Sequence, residues 1–141
     1  GEFFRSFVVF ANGTLMESRI TLGDGQAAAT NAERRMVGQA PYVLNAGLSY
    51  VTPTGSTSAT MLFNRTGERI EVAGDAPLPD VIQVPRNVLD FSLRFPVFGA
   101  LQGRFDARNL LDEPFKSVQG TVTRESWTVG RTFQVGLVFR P

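Results

Sequence analysis

Residues 89–108 read LDFSLRFPVFGALQGRFDAR, and two alternating runs lie back to back in them around Phe98, Gly99 and Ala100. In the first run Leu89, Phe91, Leu93, Phe95 and Val97 take every second position, with Asp90, Ser92 and Arg94 between them. In the second, Leu101, Gly103, Phe105 and Ala107 alternate with Gln102, Arg104, Asp106 and Arg108. Successive side chains of a β-strand point to opposite faces, so this period predicts two strands, each with an apolar and a charged face. The short link between them predicts an antiparallel hairpin.

The same pattern extends along the chain. Over 42–50, Tyr42, Leu44, Ala46, Leu48 and Tyr50 alternate with Val43, Asn45, Gly47 and Ser49. Over 57–64, Thr57, Ala59, Met61 and Phe63 alternate with Ser58, Thr60, Leu62 and Asn64. Over 132–140, Phe133, Val135, Leu137 and Phe139 alternate with Thr132, Gln134, Gly136, Val138 and Arg140. The stretch 3–22 is longer and less clean: Phe7, Val9 and Ala11 alternate with Val8, Phe10 and Asn12, which leaves its facing open. Six strands are therefore expected. Pro41, Pro53, Pro85, Pro96 and Pro114 stand where these should start or stop. The best helix candidate, 26–36, lacks a coherent apolar face and reads as a loop with room for a helical turn.

Composition excludes most chemistry. The 141 residues contain no Cys and no His. That removes disulfides, Cys/His zinc sites, thiolate or imidazole nucleophiles and a Ser-His-Asp triad. Lys+Arg is 14 against 13 for Asp+Glu, so the net charge of +1 offers no basic face for nucleic acid. Asp90 and Asp106 make a poor carboxylate pair for glycoside hydrolysis, since nothing orients a sugar between them. Gly23-Asp24-Gly25 lacks the Gly-Lys-Ser/Thr of a phosphate loop. Asp24, Asp75 and Asp80 are too far apart for an EF-hand. Asn12-Gly13 reads as a bend. No enzyme activity, metal or cofactor is expected. No apolar window approaches the ~18 residues of a membrane helix. Gly1-Glu2 begins no signal peptide, and the chain is expected to be processed or part of something longer.

The connections alternate in length. Segments 23–40, 65–85 and 111–127 are long, whereas 52–55 and 98–100 are short. Consecutive antiparallel strands would gather every long connection at one end, as in transmembrane β-barrels. Clean segments of about 8–10 residues are close to the ~9–11 of a tilted membrane strand. Tyr42, Tyr50, Phe63, Phe95, Phe133 and Phe139 fall toward segment ends, as an aromatic girdle would. Asn45, Asn64, Asp90, Arg94, Arg104, Asp106 and Arg108 then line a polar lumen. Opposite charges are expected to pair there across strands and brace the wall against an internal plug. Gly47, Gly103 and Gly136 are expected to relieve crowding or allow bends in twisted strands, and Asn109 and Asp112 to end a strand by side-chain turns. A soluble β-sandwich, with the apolar faces as its core, shows the same alternation.

Several stretches add a resemblance. Gln134, Gly136 and Phe139 in the last strand resemble the C-terminal insertion signal of bacterial outer-membrane barrels, with Pro141 in place of the usual terminal aromatic. Residues 37–50 contain Gly38-Gln39-Ala40-Pro41-Tyr42, Asn45, Gly47-Leu48 and Tyr50. Then follow Asn64 with Gly67, Arg69 and Ile70; Pro85-Arg86 with Leu89-Asp90; Asn109-Leu110-Leu111-Asp112 with Pro114; and Gly130-Arg131 with Phe133. In this order the set resembles the C-terminal region of TonB-dependent outer-membrane receptors. The resemblance spans nearly the whole chain. It implies that residues 1–141 form the last six strands of an antiparallel transmembrane barrel of about 22 strands, engaged in uptake of a scarce ligand such as a siderophore, cobalamin or oligosaccharide.

The implied partners are outer-membrane lipid, the rest of the barrel and its plug, the barrel assembly machinery, and TonB through a segment outside these residues. The implied location is the outer membrane, with the C-terminus periplasmic and segments 23–40, 66–85 and 112–127 extracellular. The alternatives are a soluble β-sandwich binding module and a structural outer-membrane barrel without TonB linkage.

Overall fold

A computed structural model of the chain describes residues 6–22 and 33–139. Most of the candidate helical turn, 26–32, lies outside the described residues, as do Gly23-Asp24-Gly25, Arg140 and Pro141. All regular elements among the described residues are strands. In chain order they are β1 (Phe7–Leu15), β2 (Ile20–Thr21), β3 (Glu33–Arg34), β4 (Tyr42–Val51), β5 (Ser58–Thr66), β6 (Arg69–Val72), β7 (Val81–Gln83), β8 (Arg86–Phe98), β9 (Leu101–Arg108), β10 (Phe115–Gln119), β11 (Val122–Trp127) and β12 (Thr132–Phe139).

The six long strands pair in one antiparallel sheet in the order β1-β4-β5-β8-β9-β12. They are the six that alternation predicts, paired with their neighbours along the chain. The sheet does not close: β1 and β12 are its edges among the described residues.

Register decides what each face carries. Ala11 opposes Ala46, Ala46 opposes Phe63, Phe63 opposes Leu89, Phe91 opposes Ala107 and Ala107 opposes Phe133. Residues opposed in an antiparallel pair share a face, so the apolar rows join into one surface across all six strands. Phe91, Phe105 and Phe133 step diagonally along it, with ring centroids 6.4 and 6.3 Å apart. The uncertain facing of the first strand is settled: Phe7, Val9, Ala11 and Leu15 join the apolar side.

Nothing covers that surface among the described residues. Val9 is 75% exposed, Val135 77% and Leu137 66%. Among the described residues the buried apolar ones are Ala40, Ile70, Val81 and Ala107, and no large side chain is fully buried. A soluble domain of this length would bury well over half of its unfolded surface.

Proline and glycine shape the short-turn end. β8 runs past Pro96 instead of stopping there, and a bulge between Pro96 and Phe98 accommodates it. Gly99 and Gly55 have φ of 54° and 69°, the left-handed backbone that both turns require.

The long connections are not simple loops. β6 and β7 form a hairpin, β10 and β11 form another, and they join as a second sheet in the order β11-β10-β7-β6. This extension holds two of the four buried apolar residues, Ile70 and Val81. Gly38 N–H donates to Ile70 O at 2.7 Å, tying segment 35–41 to it. At its tip the Gly74 N–H donates to Asp80 Oδ1 at 2.7 Å. A Cβ at Gly74 would meet the backbone of Leu78 and Pro79. Gly74→Ala should therefore cost about 1–3 kcal/mol locally. Hydrogen exchange checks this: amides of 74–80 should speed up while those of β8 and β9 keep their protection.

Candidate functional site

The opposite face of the sheet is polar. Asn45, Asn64, Asp90, Arg94, Arg104, Asp106 and Arg108 all lie on it, as β4, β5, β8 and β9 pair in register. Thr60, Leu62, Asp90, Ser92, Arg104, Asp106 and Arg108 border a hollow of about 310 Å³ together with Phe91.

Asp106 organises this hollow. It is buried, and Arg104 donates to it from Nε at 2.6 Å and from Nη2 at 3.2 Å. Ser92 Oγ, directly opposite on β8, donates to the same carboxylate at 2.8 Å. The ion pair thus runs along one strand, two residues apart, and the cross-strand link comes from a serine. The expected cross-strand pairing of opposite charges is not what forms, because Ser92 opposes Asp106 and Arg94 opposes Arg104. Asp90 instead accepts the Asn109 backbone N–H at 2.8 Å.

A row of amides crosses the next strands. Asn12, Asn45 and Asn64 stand directly opposite one another on β1, β4 and β5. Asn64 Nδ2 donates to Asn45 Oδ1 at 2.6 Å, and Asn45 Nδ2 donates to Asn12 Oδ1 at 2.8 Å. Asn12-Gly13 is therefore no bend. It lies inside β1, and its amide completes the row. Phe10 is an aromatic on this face, and its ring lies where a Cβ on Gly47 would be. Gly103 is likewise covered by Phe95 on the other face, at 2.6 Å from an ideal Cβ to the ring. Gly136 differs: a Cβ there would meet nothing within 4 Å, so crowding does not explain it.

The rim toward the long connections holds a second network. Arg86 donates from Nη2 to Asn109 Oδ1 at 3.1 Å and from Nε to Glu113 O at 3.2 Å. Its guanidinium lies 4.0 Å above the Phe115 ring, and Phe115 stacks on Trp127 at 4.3 Å. Asn109 Nδ2 reaches Gly130 O at 2.8 Å, and Arg131 Nε reaches Leu110 O at 2.8 Å. Asn109 and Asp112 have φ of 56° and 51°, a conformation that short polar side chains tolerate, and they turn the chain out of β9. The stretch holding Arg86 and Asp90, the one holding Asn109 and the one holding Arg131 are separate in sequence and meet here.

On the outward side of this rim Arg65 Nε donates to Tyr42 Oη at 3.2 Å, and Nη1 to Asn87 Oδ1 at 3.0 Å. The aromatic residues Tyr42, Tyr50, Phe63, Phe95, Phe133 and Phe139 all share the apolar face. In β12, Gln134 and Gly136 face the polar side and Phe139 ends the apolar row.

No group of three or more acidic side chains among the described residues is placed to hold a metal ion. The hydrogen bonds of this face fix strands to one another. Comparison with protein-family models, curated proteins and solved structures returns no match.

Sequence reasoning missed Asn12, Ser92 and Glu113. Register alone exposes the first two. Glu113 was hidden because its partner is a backbone amide as well as a side chain: the Asn87 N–H and Nδ2 both donate to its carboxylate at 2.7 Å. The Asn87 amide, helped by Arg65 and Arg86, holds the Glu113 carboxyl below its ordinary pKa. A carboxyl so lowered stabilises the fold above its ordinary pKa and loses that contribution as pH falls through the lowered value. Acidification below the usual glutamate range should thus speed exchange of the Asn87 amide. Glu113→Gln should remove that pH dependence.

Proposed function

We propose that this chain forms part of the wall of a transmembrane β-barrel in the bacterial outer membrane, serving TonB-dependent uptake of a scarce ligand. The observation that carries the reading is the uncovered apolar face, continuous over six strands and backed by a charged face. In water such a face would be an aggregation site. In a bilayer it is the side that meets lipid.

The dimensions agree. Tyr42 and Tyr50 bracket the apolar row of β4. Eight steps at ~3.4 Å are about 27 Å along the strand, or about 20 Å across a membrane at ~40° tilt. That approaches the ~25 Å apolar band of outer-membrane barrels. Arg65 and Asn87 end the band on one side. Open edges do not survive in lipid, so further strands must pair with β1 and β12. The meeting of the receptor-like stretches at one rim supports the TonB-dependent class over a structural barrel without TonB linkage. A soluble β-sandwich would need a second sheet over Leu44, Leu48 and Val135, and the four-stranded sheet leaves them exposed.

In this reading the polar face borders the passage, Asp106 and the asparagine row brace the wall, and the hairpin extensions reach outside the cell. The C-terminus lies in the periplasm.

Two experiments test it. Val135→Arg places a charge on the lipid side near mid-strand and should destabilise the barrel by roughly 2–4 kcal/mol, whereas the adjacent Gln134→Arg should change little. Denaturant titration in lipid vesicles measures both, and equal effects would defeat the reading. Protease added to intact cells should cut within 66–85 or 112–127 and spare 52–55 and 98–100. Cleavage only at the short turns would reverse the topology.

A further inference from the structure

The charged face carries an unbalanced feature near the short-turn end. Arg94 and Arg104 stand directly opposite each other on β8 and β9. Like charges so opposed destabilise a sheet unless an opposite charge joins them. Arg104 commits Nε and Nη2 to Asp106. That carboxylate also accepts from Ser92 Oγ. Among the described residues Arg94 makes no ion pair.

A hollow of about 110 Å³ adjoins the pair, lined by Arg94, Gln102, Gly103, Arg104 and Val138. One water's share of the liquid is about 30 Å³, so the space takes a group of several atoms. Gly136, opposite Arg104 on β12, leaves that flank open. Arg94, Gln102 and Arg104 border this one hollow, and guanidinium and amide groups are donors that a planar or tetrahedral oxyanion accepts from.

We infer that Arg94 and Arg104, with Gln102, form an oxyanion site that takes a carboxylate or phosphate group. The site stands on this geometry and rests on the proposed barrel only for the source of its ligand. That source is either a carboxylate side chain of polypeptide filling the lumen or a free anionic solute entering it. Asp106 is a positioning residue here, since it holds the Arg104 guanidinium beside the hollow.

The test is the thermal midpoint of the protein in detergent micelles, with inorganic phosphate titrated against chloride at equal ionic strength. A free-anion site predicts that phosphate raises the midpoint selectively and that Arg94→Gln weakens the apparent phosphate affinity by roughly tenfold or more. A resident carboxylate predicts no response to phosphate, with Arg94→Gln lowering the midpoint and Arg94→Lys lowering it less. The inference is overturned if phosphate is inert and Arg94→Gln leaves the midpoint unchanged or raises it. It is equally overturned if phosphate acts alike on the wild type and on Arg94→Gln. A protein that keeps its fold without detergent would end the barrel reading and leave this comparison intact.

Discussion

Antiparallel pairing in one unbroken register is the constraint on which the rest of this structure depends. It runs from β1 through β4, β5, β8 and β9 to β12. Because side chains alternate, a slip of one residue between any two strands would exchange the faces of everything beyond it. Between β8 and β9, such a slip would put Arg104 and Asp106 in line with Phe91 and Leu93. On the polar side, slippage is resisted by Ser92 to Asp106 and by the row Asn12, Asn45 and Asn64. Each ties residues that are directly opposed, so each holds the apolar side in phase as well.

That phase explains how a chain with little buried apolar surface is organised. Most hydrophobic side chains of its six long strands lie on one face, and many are left exposed among the described residues. The stabilisation that a soluble domain draws from a core must then come from whatever covers the sheet. Hydrocarbon suits a surface with no charged residue between the Tyr42 and Tyr50 rows other than Arg65 at its border. The polar side has the reverse character, where Arg104 and Asp106 would be expensive in lipid and are favourable facing water.

Much of this was legible in sequence. Clean alternation over 42–50, 89–97, 101–108 and 132–140 located strands and their faces, because apolar residues concentrate at one parity in each, with Val43 and Val138 as exceptions. Residues 7–15 were ambiguous because Phe10 and Val8 sit on the polar face, and only the covering of Gly47 by Phe10 gives the former a reason. The first hairpin extension is not legible in sequence because β6 and β7 are 4 and 3 residues long, too short to show a period. Charge pairing was misjudged for another reason. Sequence shows which face a residue takes, but register decides that Ser92 opposes Asp106 and that two arginines oppose each other. The rim was half legible: Arg86, Asn109 and Arg131 stood out as a set, and their convergence on backbone carbonyls needed the fold.

The central claim is that one face of the sheet meets lipid and the other meets water. The absence of cysteine allows single Cys variants with no background thiol. A nitroxide placed in turn at Leu44, Asn45, Ala46, Leu48 and Ser49 of β4, with the protein in lipid vesicles, reports collisions with oxygen or with a water-soluble nickel chelate. The account predicts oxygen-dominated collisions at 44, 46 and 48 and nickel-dominated collisions at 45 and 49. Nickel access at all five positions, or the opposite phase, would contradict it.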